Sequence, residues 1–157
     1  MEDSSQQEHI FGDVIEYVPA TTGQRFLNWL IDNLLMQYGL AYLTGIIVGY
    51  GIAWLFPDYA MHLTLEESTA DLFIIGYAIA IFNYLIYYTI CEKAFRGYTL
   101  GKLISGTRAI RNDGAELTIK DALLRSLSRL VPFEVFSGFS YKPWHDLWTK
   151  TQVIKAR

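Results

Sequence analysis

Apolar residues fall into two long runs. From Phe26 to Phe56 the only acidic or basic residue is Asp32, and from Leu72 to Ile90 there is none. The first run would measure about 46 Å as a helix, against a hydrocarbon core of about 30 Å. It predicts a span that is tilted or whose first turns lie in the interface. The second run predicts a second span. Thr21 or Thr22 can cap the first helix, which is expected to start near Gln24. Residues 57–71, with Asp58, Glu66, Glu67 and Asp71 and no Lys or Arg, read as a polar loop.

After Cys91 the periodicity changes. Thr107–Arg111 and Ala115–Ile119 flank Asn112-Asp113-Gly114, and Asp-Gly favours a tight primed turn, so this stretch predicts a β-hairpin. Thr118 with Asp121 three residues on has the spacing of a capping box. The helix that follows places Ile119, Ala122, Leu123, Leu127, Leu130 and Val131 on one face. Asp121, Arg125, Ser128 and Arg129 fall on the other, and the helix stops at Pro132. Its charge density argues against a third span and for a helix lying in the interface. Tyr141, Trp144 and Trp148 suit interface anchoring, and Thr149–Ala156 can add a strand beside the hairpin.

Charge fixes the expected orientation. Arg25 is the only base before Lys93, against ten acids up to Asp71, whereas twelve bases face six acids from Glu92 onward. With a loop free of Lys and Arg and a strongly basic tail, the chain is expected to run in–out–in, with both termini cytoplasmic. Hydrophobic residues make up 52% and charged residues 18% of the 157. Together these features exclude a disordered chain, a disulfide scaffold and a uniformly charged nucleic-acid binder. Acids replace the basic region of a secretory signal, so the first helix is expected to be its own insertion signal. Cys91 stands alone and forms no intramolecular disulfide.

The architecture expected is a mainly α integral membrane protein in the cell membrane: a two-span helical hairpin, an interfacial amphipathic helix and a small cytosolic β-hairpin. Residues 1–20 would be an acidic flexible arm. Residues 21–157 would be one membrane domain, with spans at about 26–56 and 72–90 and a basic cytosolic and interfacial module over 91–157.

Polar residues inside the spans are the candidate site. Arg25, Asn28 and Asp32 share one helical face. An intramembrane carboxylate costs about 2.5–3.5 kcal/mol on insertion scales, which makes Asp32 a candidate ion or proton site. On the second span Gly76, Ala80, Asn83 and Tyr87 share a face. Asn83 and Asp32 lie at depths matched to within about 1.5 Å, so a shared hydrogen bond is expected. Ala41, Gly45, Gly49 and Ala53 recur every four residues, a small-residue stripe for close helix packing, with Gly76 and Ala80 as its matching groove. In the tail, Asp146 is expected to pair with Arg25 or Arg129, while another arginine of the set that includes Arg125 faces Asp32. Gly97 to Lys102 is one residue short of a phosphate loop, and Leu103 stands where Ser or Thr would bind magnesium. His9, His62 and His145 have no metal-ligand spacing and no catalytic triad can be argued, so neither an enzyme nor a cofactor is expected.

Taken together, Gly23-Gln-Arg25-Phe-Leu-Asn-Trp-Leu-Ile-Asp32, Gly97-Tyr-Thr-Leu-Gly101-Lys-Leu-Ile-Ser-Gly106-Thr-Arg, Leu123-Leu-Arg125-Ser-Leu-Ser-Arg129 and Trp144-His-Asp146-Leu-Trp-Thr149 resemble the RDD family of small membrane proteins. The resemblance covers about residues 20–156 and implies that Arg25, Asp32 and Asp146 carry the family name. Phe133–Pro143 departs from the more basic stretch of many relatives. The resemblance implies transport of an unassigned ligand. Some members are described as sodium/proton antiporters, and others as companions of membrane quality-control assemblies. Two classes therefore stand side by side. One is an oligomeric carrier of Na+ or H+ with Asp32 as the exchange site, tuned by Arg25 and lined by Asn28, Asn83 and Tyr87. The other is a non-enzymatic assembly subunit that grips a partner membrane protein or a second copy in the bilayer. The in–out–in topology makes a direct prediction: cysteines introduced at Ser68 and at Ser140 should react from opposite sides of an intact cell, and labelling of both from one side would rule out the hairpin.

Overall fold

The computed structural model describes residues 17–65, 68–138, 140 and 142–156. Up to Glu16 the acidic arm lies outside the described residues, as do Glu66, Glu67 and Tyr141.

Helix α1 (Thr22–Leu34) opens on a full capping box. Thr21 Oγ1 accepts from the Gln24 amide at 3.2 Å, and Gln24 Oε1 accepts from the Thr21 amide at 3.0 Å. A π-helical segment (Leu35–Leu40) follows without a break and leads into α2 (Ala41–Leu55). The extra residue of a π turn rotates the downstream face by roughly 100° relative to α1, a shift that straight 3.6-residue spacing does not anticipate. The inter-span segment is not a loop: α3 (Pro57–Leu65) fills it, with proline at the first helical position and Asp58 facing the positive end of the helix dipole. Helix α4 (Thr69–Ala94) then runs back. The continuous Thr22–Leu55 and Thr69–Ala94 helices are long and apolar enough to cross a membrane. No residue of α2 is buried, and Tyr50, Trp54 and Leu55 stand well out of the fold.

Everything that follows packs at the end where α1 begins and α4 finishes, here termed the basal end. Helix α5 (Leu100–Ser105) is capped by Thr99, whose Oγ1 accepts from the Lys102 amide at 3.3 Å. It seats chiefly on α1, whereas α4 packs on α6 and, further along, on the π segment and α2. The two long helices thus part at the basal end, where Tyr87 of α4 still reaches Asp32 of α1.

Strand β1 (Thr107–Arg111) does not pair with 115–119 as expected. The Asp113-Gly114 turn does form, with the Arg111 amide donating to the Ala115 carbonyl at 2.9 Å. Thr118, however, is claimed as the cap of α6 (Ile119–Ser128), which leaves three residues between turn and helix, too few to mirror a five-residue strand. The partner is β2 (Thr151–Lys155), antiparallel, with Thr107 opposite Lys155 and Arg111 opposite Thr151. The outer edge of β2 is covered by the last residues of the arm: the Ala20 amide donates to the Val153 carbonyl and the Lys155 amide to the Val18 carbonyl, both at 2.9 Å. Residues 18–20 therefore belong to the sheet, not to a free arm. Ala20, Ala109, Leu117 and Val153 form the small core beneath it.

Helix α6 is turned inside out relative to a helix of a soluble protein. Ala122, Arg125 and Ser126 are buried against the fold, while Ile119 is 66% exposed and Leu123, Leu124 and Leu127 also face outward. That orientation suits a hydrocarbon or interfacial surroundings. A short turn α7 (Glu134–Ser137) leads to α8 (Trp144–Thr149), on which Trp144 and Trp148 stack with ring centres 5.7 Å apart.

The small-residue stripe does not close the hairpin. A Cβ built on Gly45, Gly49 or Gly76 meets nothing within 4 Å, so Ala41, Gly45, Gly49, Ala53, Gly76 and Ala80 do not form the tight seam expected between the spans. Close approach occurs at Gly101 instead, where a Cβ would lie 2.9 Å from Asn28 Cα. Gly101→Ala should therefore lower stability by about 1–3 kcal/mol through overpacking. Gly45→Ala and Gly49→Ala should leave it unchanged or raise it by up to about 1 kcal/mol. Thermal unfolding in detergent reads the difference, and equal effects at all three positions would contradict the docking of α5 on α1.

Candidate functional site

Asp32 is 1% exposed and its carboxylate is fully engaged. Oδ1 accepts from Tyr87 Oη at 2.7 Å and from the Gly101 amide at 2.8 Å, and Oδ2 accepts from Thr99 Oγ1 at 2.6 Å. The start of α5 supplies two of these donors, the hydroxyl of its capping residue Thr99 and the Gly101 amide, which lacks a helical partner. Tyr87 in turn accepts from the Leu100 amide at 3.2 Å. Asp32 is thus a latch joining α1, α4 and α5.

The expected Asp32–Asn83 bond does not form. Asn83 Nδ2 donates to Thr44 Oγ1 at 2.7 Å, on the far side of the π segment. Asp32 is met from α4 by Tyr87, one turn along from Asn83, whereas Asn83 lies opposite Thr44 beyond the π segment. Asn28, one turn before Asp32, also points into the α5–β1 junction. Its Nδ2 donates to Thr107 Oγ1 at 3.0 Å, and its Oδ1 accepts from Ser105 Oγ.

The second centre is Glu92, in the last turn of α4 and 0% exposed. Lys102 Nζ reaches Oε1 at 2.5 Å, Arg129 Nη2 the same oxygen at 2.9 Å, and Arg125 Nε reaches Oε2 at 2.8 Å. Arg125 then pairs with Asp146 through Nη1, which also donates to Thr151 Oγ1. Asp146 thus pairs with Arg125, not with Arg25 or Arg129 as expected. Arg129 lies over the Tyr88 ring, 4.4 Å from its centre, which adds a cation–π contact. Burial pushes the Asp146 carboxyl up, but Arg125 and His145 outweigh it and hold the group well below the usual carboxylate range. Burial pulls Lys102 down, and the neighbouring arginines add to this, so Glu92 only partly restores its affinity for a proton.

His145 links this network to α7. Its Nδ1 lies 2.5 Å from Glu134 Oε1 and its Nε2 3.6 Å from Asp146 Oδ1. Ser137 Oγ donates to the same Glu134 oxygen at 3.1 Å. Burial, assisted by Arg129 and Arg125, lowers the His145 pKa despite its two carboxylate neighbours. Burial raises Glu134, but the bond to His145 overrides it and keeps the carboxyl low.

Between these centres lies a cavity of about 290 Å³. Arg25, Asn28 and Asp32 from α1 line it together with Lys102, Arg129, Glu134, His145 and Asp146. Aromatic rings, among them Trp29, Tyr88 and Phe136, complete the wall. Arg129 Nη1 and Asp146 Oδ2 are buried and have no hydrogen-bond partner.

The structure thus brings Arg25, Asn28, Asp32, Arg129 and Asp146 around one cavity, with Tyr87 behind Asp32. It leaves Asn83 apart, further along the spans. Sequence reasoning missed Glu92, Lys102, Thr99, Gly101, Glu134 and His145. Glu92 had a usable signal, as the one acid in the last turn of an apolar helix, where it opposes the helix dipole and calls for cations.

The sequence model of the RDD family matches residues 19–149. No curated protein and no solved structure matches the chain.

Removing either acid separates the two centres energetically. Glu92→Gln leaves three buried cations without their anion and should cost about 3–5 kcal/mol. Asp32→Asn turns an amide toward donors that expect an acceptor and should cost about 1–3 kcal/mol. Detergent-stability curves followed by tryptophan fluorescence should rank Glu92→Gln as the more damaging; the opposite order would show that the Asp32 latch, not the Glu92 cluster, holds the module together.

Proposed function

The chain belongs to the RDD family of membrane proteins, and from that premise we propose that it is a subunit of an oligomeric, non-enzymatic carrier that couples a small charged solute to the movement of a proton. The observation that carries the reading is the cavity of about 290 Å³ at the basal end, where fixed charges of both signs meet a half-buried histidine. In this reading the basal end and both termini face the cytoplasm of a cell membrane, as the distribution of Lys and Arg favours.

Asp32 acts here as the wall that positions α5, since its acceptor sites are engaged by Tyr87, Thr99 and Gly101. The proton is taken by His145. That ring is faced by Glu134 from α7, by Asp146 on its own helix and by Arg125 and Arg129 from α6, with Thr151 of β2 bonded to Asp146. Burial and the arginines hold its pKa down, so the ring gains a proton when acid or an anionic solute offsets the arginines. Two spans cannot enclose a pathway, so the route runs between copies. The open faces at Gly45, Gly49 and Gly76 suit close packing against another helix.

Those same open faces favour a second reading, an assembly subunit that packs against a different membrane protein. Sealed vesicles carrying the purified protein and an internal pH reporter separate the two. They would be challenged with a gradient of sodium, then of potassium, then of a pool of small metabolites. The carrier reading expects a solute-dependent pH change that His145→Gln abolishes without changing native mass. A silent wild-type protein in all three challenges would leave the assembly reading.

A further inference from the structure

The cavity's chemistry bears on which solute it takes, an inference that rests on the carrier reading. Its wall contains as many bases (Arg25, Lys102, Arg129) as carboxylates (Asp32, Glu134, Asp146). A bare cation or a bare anion would gain no net attraction from such a lining. Most of those charges are already committed. Lys102 is bound to Glu92, Glu134 to His145 and Ser137, and Asp32 to its three donors.

Arg129 and Asp146 keep capacity in reserve. Arg129 is 7% exposed, with Nη2 spent on Glu92 and Nη1 without a partner. Asp146 is 1% exposed, with Oδ1 spent on Arg125 and Oδ2 without a partner. A buried donor or acceptor left unpaired is costly, more so for a charged group, and folded proteins rarely leave one so. Here one unpaired donor and one unpaired acceptor belong to residues that line the same cavity. At about 30 Å³ per water-sized unit, the space holds on the order of ten non-hydrogen atoms.

We propose that the cavity binds a small zwitterion. Its anionic group accepts from Arg129 Nη1, its ammonium donates to Asp146 Oδ2, and its apolar body lies against Trp29 and Phe136. Opposite poles joined by a short linker satisfy both orphaned groups at once, which a single ion cannot do. The same chemistry occurs in a free α-amino acid and in the phosphate–ammonium headgroup of phosphatidylethanolamine. A choline headgroup lacks the N–H that Asp146 requires.

The test uses the full chain in nanodiscs of phosphatidylcholine, titrated calorimetrically with L-phenylalanine and with its two half-molecules, 3-phenylpropionate and phenethylamine. Native mass spectrometry of discs containing phosphatidylethanolamine, phosphatidylcholine and phosphatidylglycerol forms the lipid arm. Saturable binding of L-phenylalanine, at least tenfold tighter than either half, supports the proposal with a free solute as the source. Selective retention of phosphatidylethanolamine supports it with a lipid headgroup as the source. Arg129→Lys preserves a cation for Glu92 but removes Nη1, so it should weaken either form of binding at least tenfold. Phe136→Ala, at an exposed position of the wall, should weaken it several-fold with the unfolding temperature held. Either half-molecule binding as well as the whole would overturn the proposal, as would the absence of both amino-acid binding and ethanolamine preference. Because binding is measured without transport, failure of the carrier reading in vesicles leaves this result standing, and the converse also holds.

Discussion

The Glu92 carboxylate is the constraint on which the basal module depends. It sits at the end of an apolar 26-residue helix, where the last carbonyls already present negative charge, and it has no exposure to water. An isolated carboxylate there would be prohibitively costly, so the fold must bring cations to it. It brings three, each from a different position: Lys102 on α5 and Arg125 and Arg129 on successive turns of α6. Arg125 cannot be buried with one partner either, and it draws in Asp146 on α8 and Thr151 on β2. One acid at the end of α4 therefore accounts for the placement of three helices and a strand. The same requirement turns α6 with its charged side inward and its leucines outward.

The Asp32 latch solves a different problem by related physics. Here the partners are not cations but a tyrosine, a threonine and a helix amide, so a charge near the membrane is held by dipoles. The latch needs α5 close enough for its first amides to reach α1, which is why Gly101 lies against the Asn28 backbone. Between latch and cluster the wall residues stand apart and leave a cavity. Most of its charges are held by bonds to neighbouring residues, which keeps charged side chains in place around a small space.

Away from the basal end the molecule has little internal packing. The faces of α2 and most of α4 are apolar and open, with Asn83 and Thr44 forming one polar cross-link between them. Such open apolar faces suit lipid, where a soluble fold would pack against itself. This explains why a stripe of small residues carries no packing role inside the chain.

What the sequence determined by itself follows from local physics. Two apolar runs dictate two long helices. Thr21-x-x-Gln24 and Thr118-x-x-Asp121 dictate where two helices begin, and Asp113-Gly114 dictates a turn. That Asp32 needs a polar partner was also legible, because a charge in an apolar run demands one. Tertiary structure decided which partner. Periodicity places side chains on a face but says nothing of what a distant segment brings to it, so Asn83 found Thr44, Asp146 found Arg125, and β1 found β2 across forty residues. The π turn that rotates α2 against α1 left no local signal, since its residues are compatible with an ordinary helix. The burial of Glu92 and Lys102, each unremarkable in sequence, was settled only when four elements converged, because buried charges are tolerated as a set and not singly.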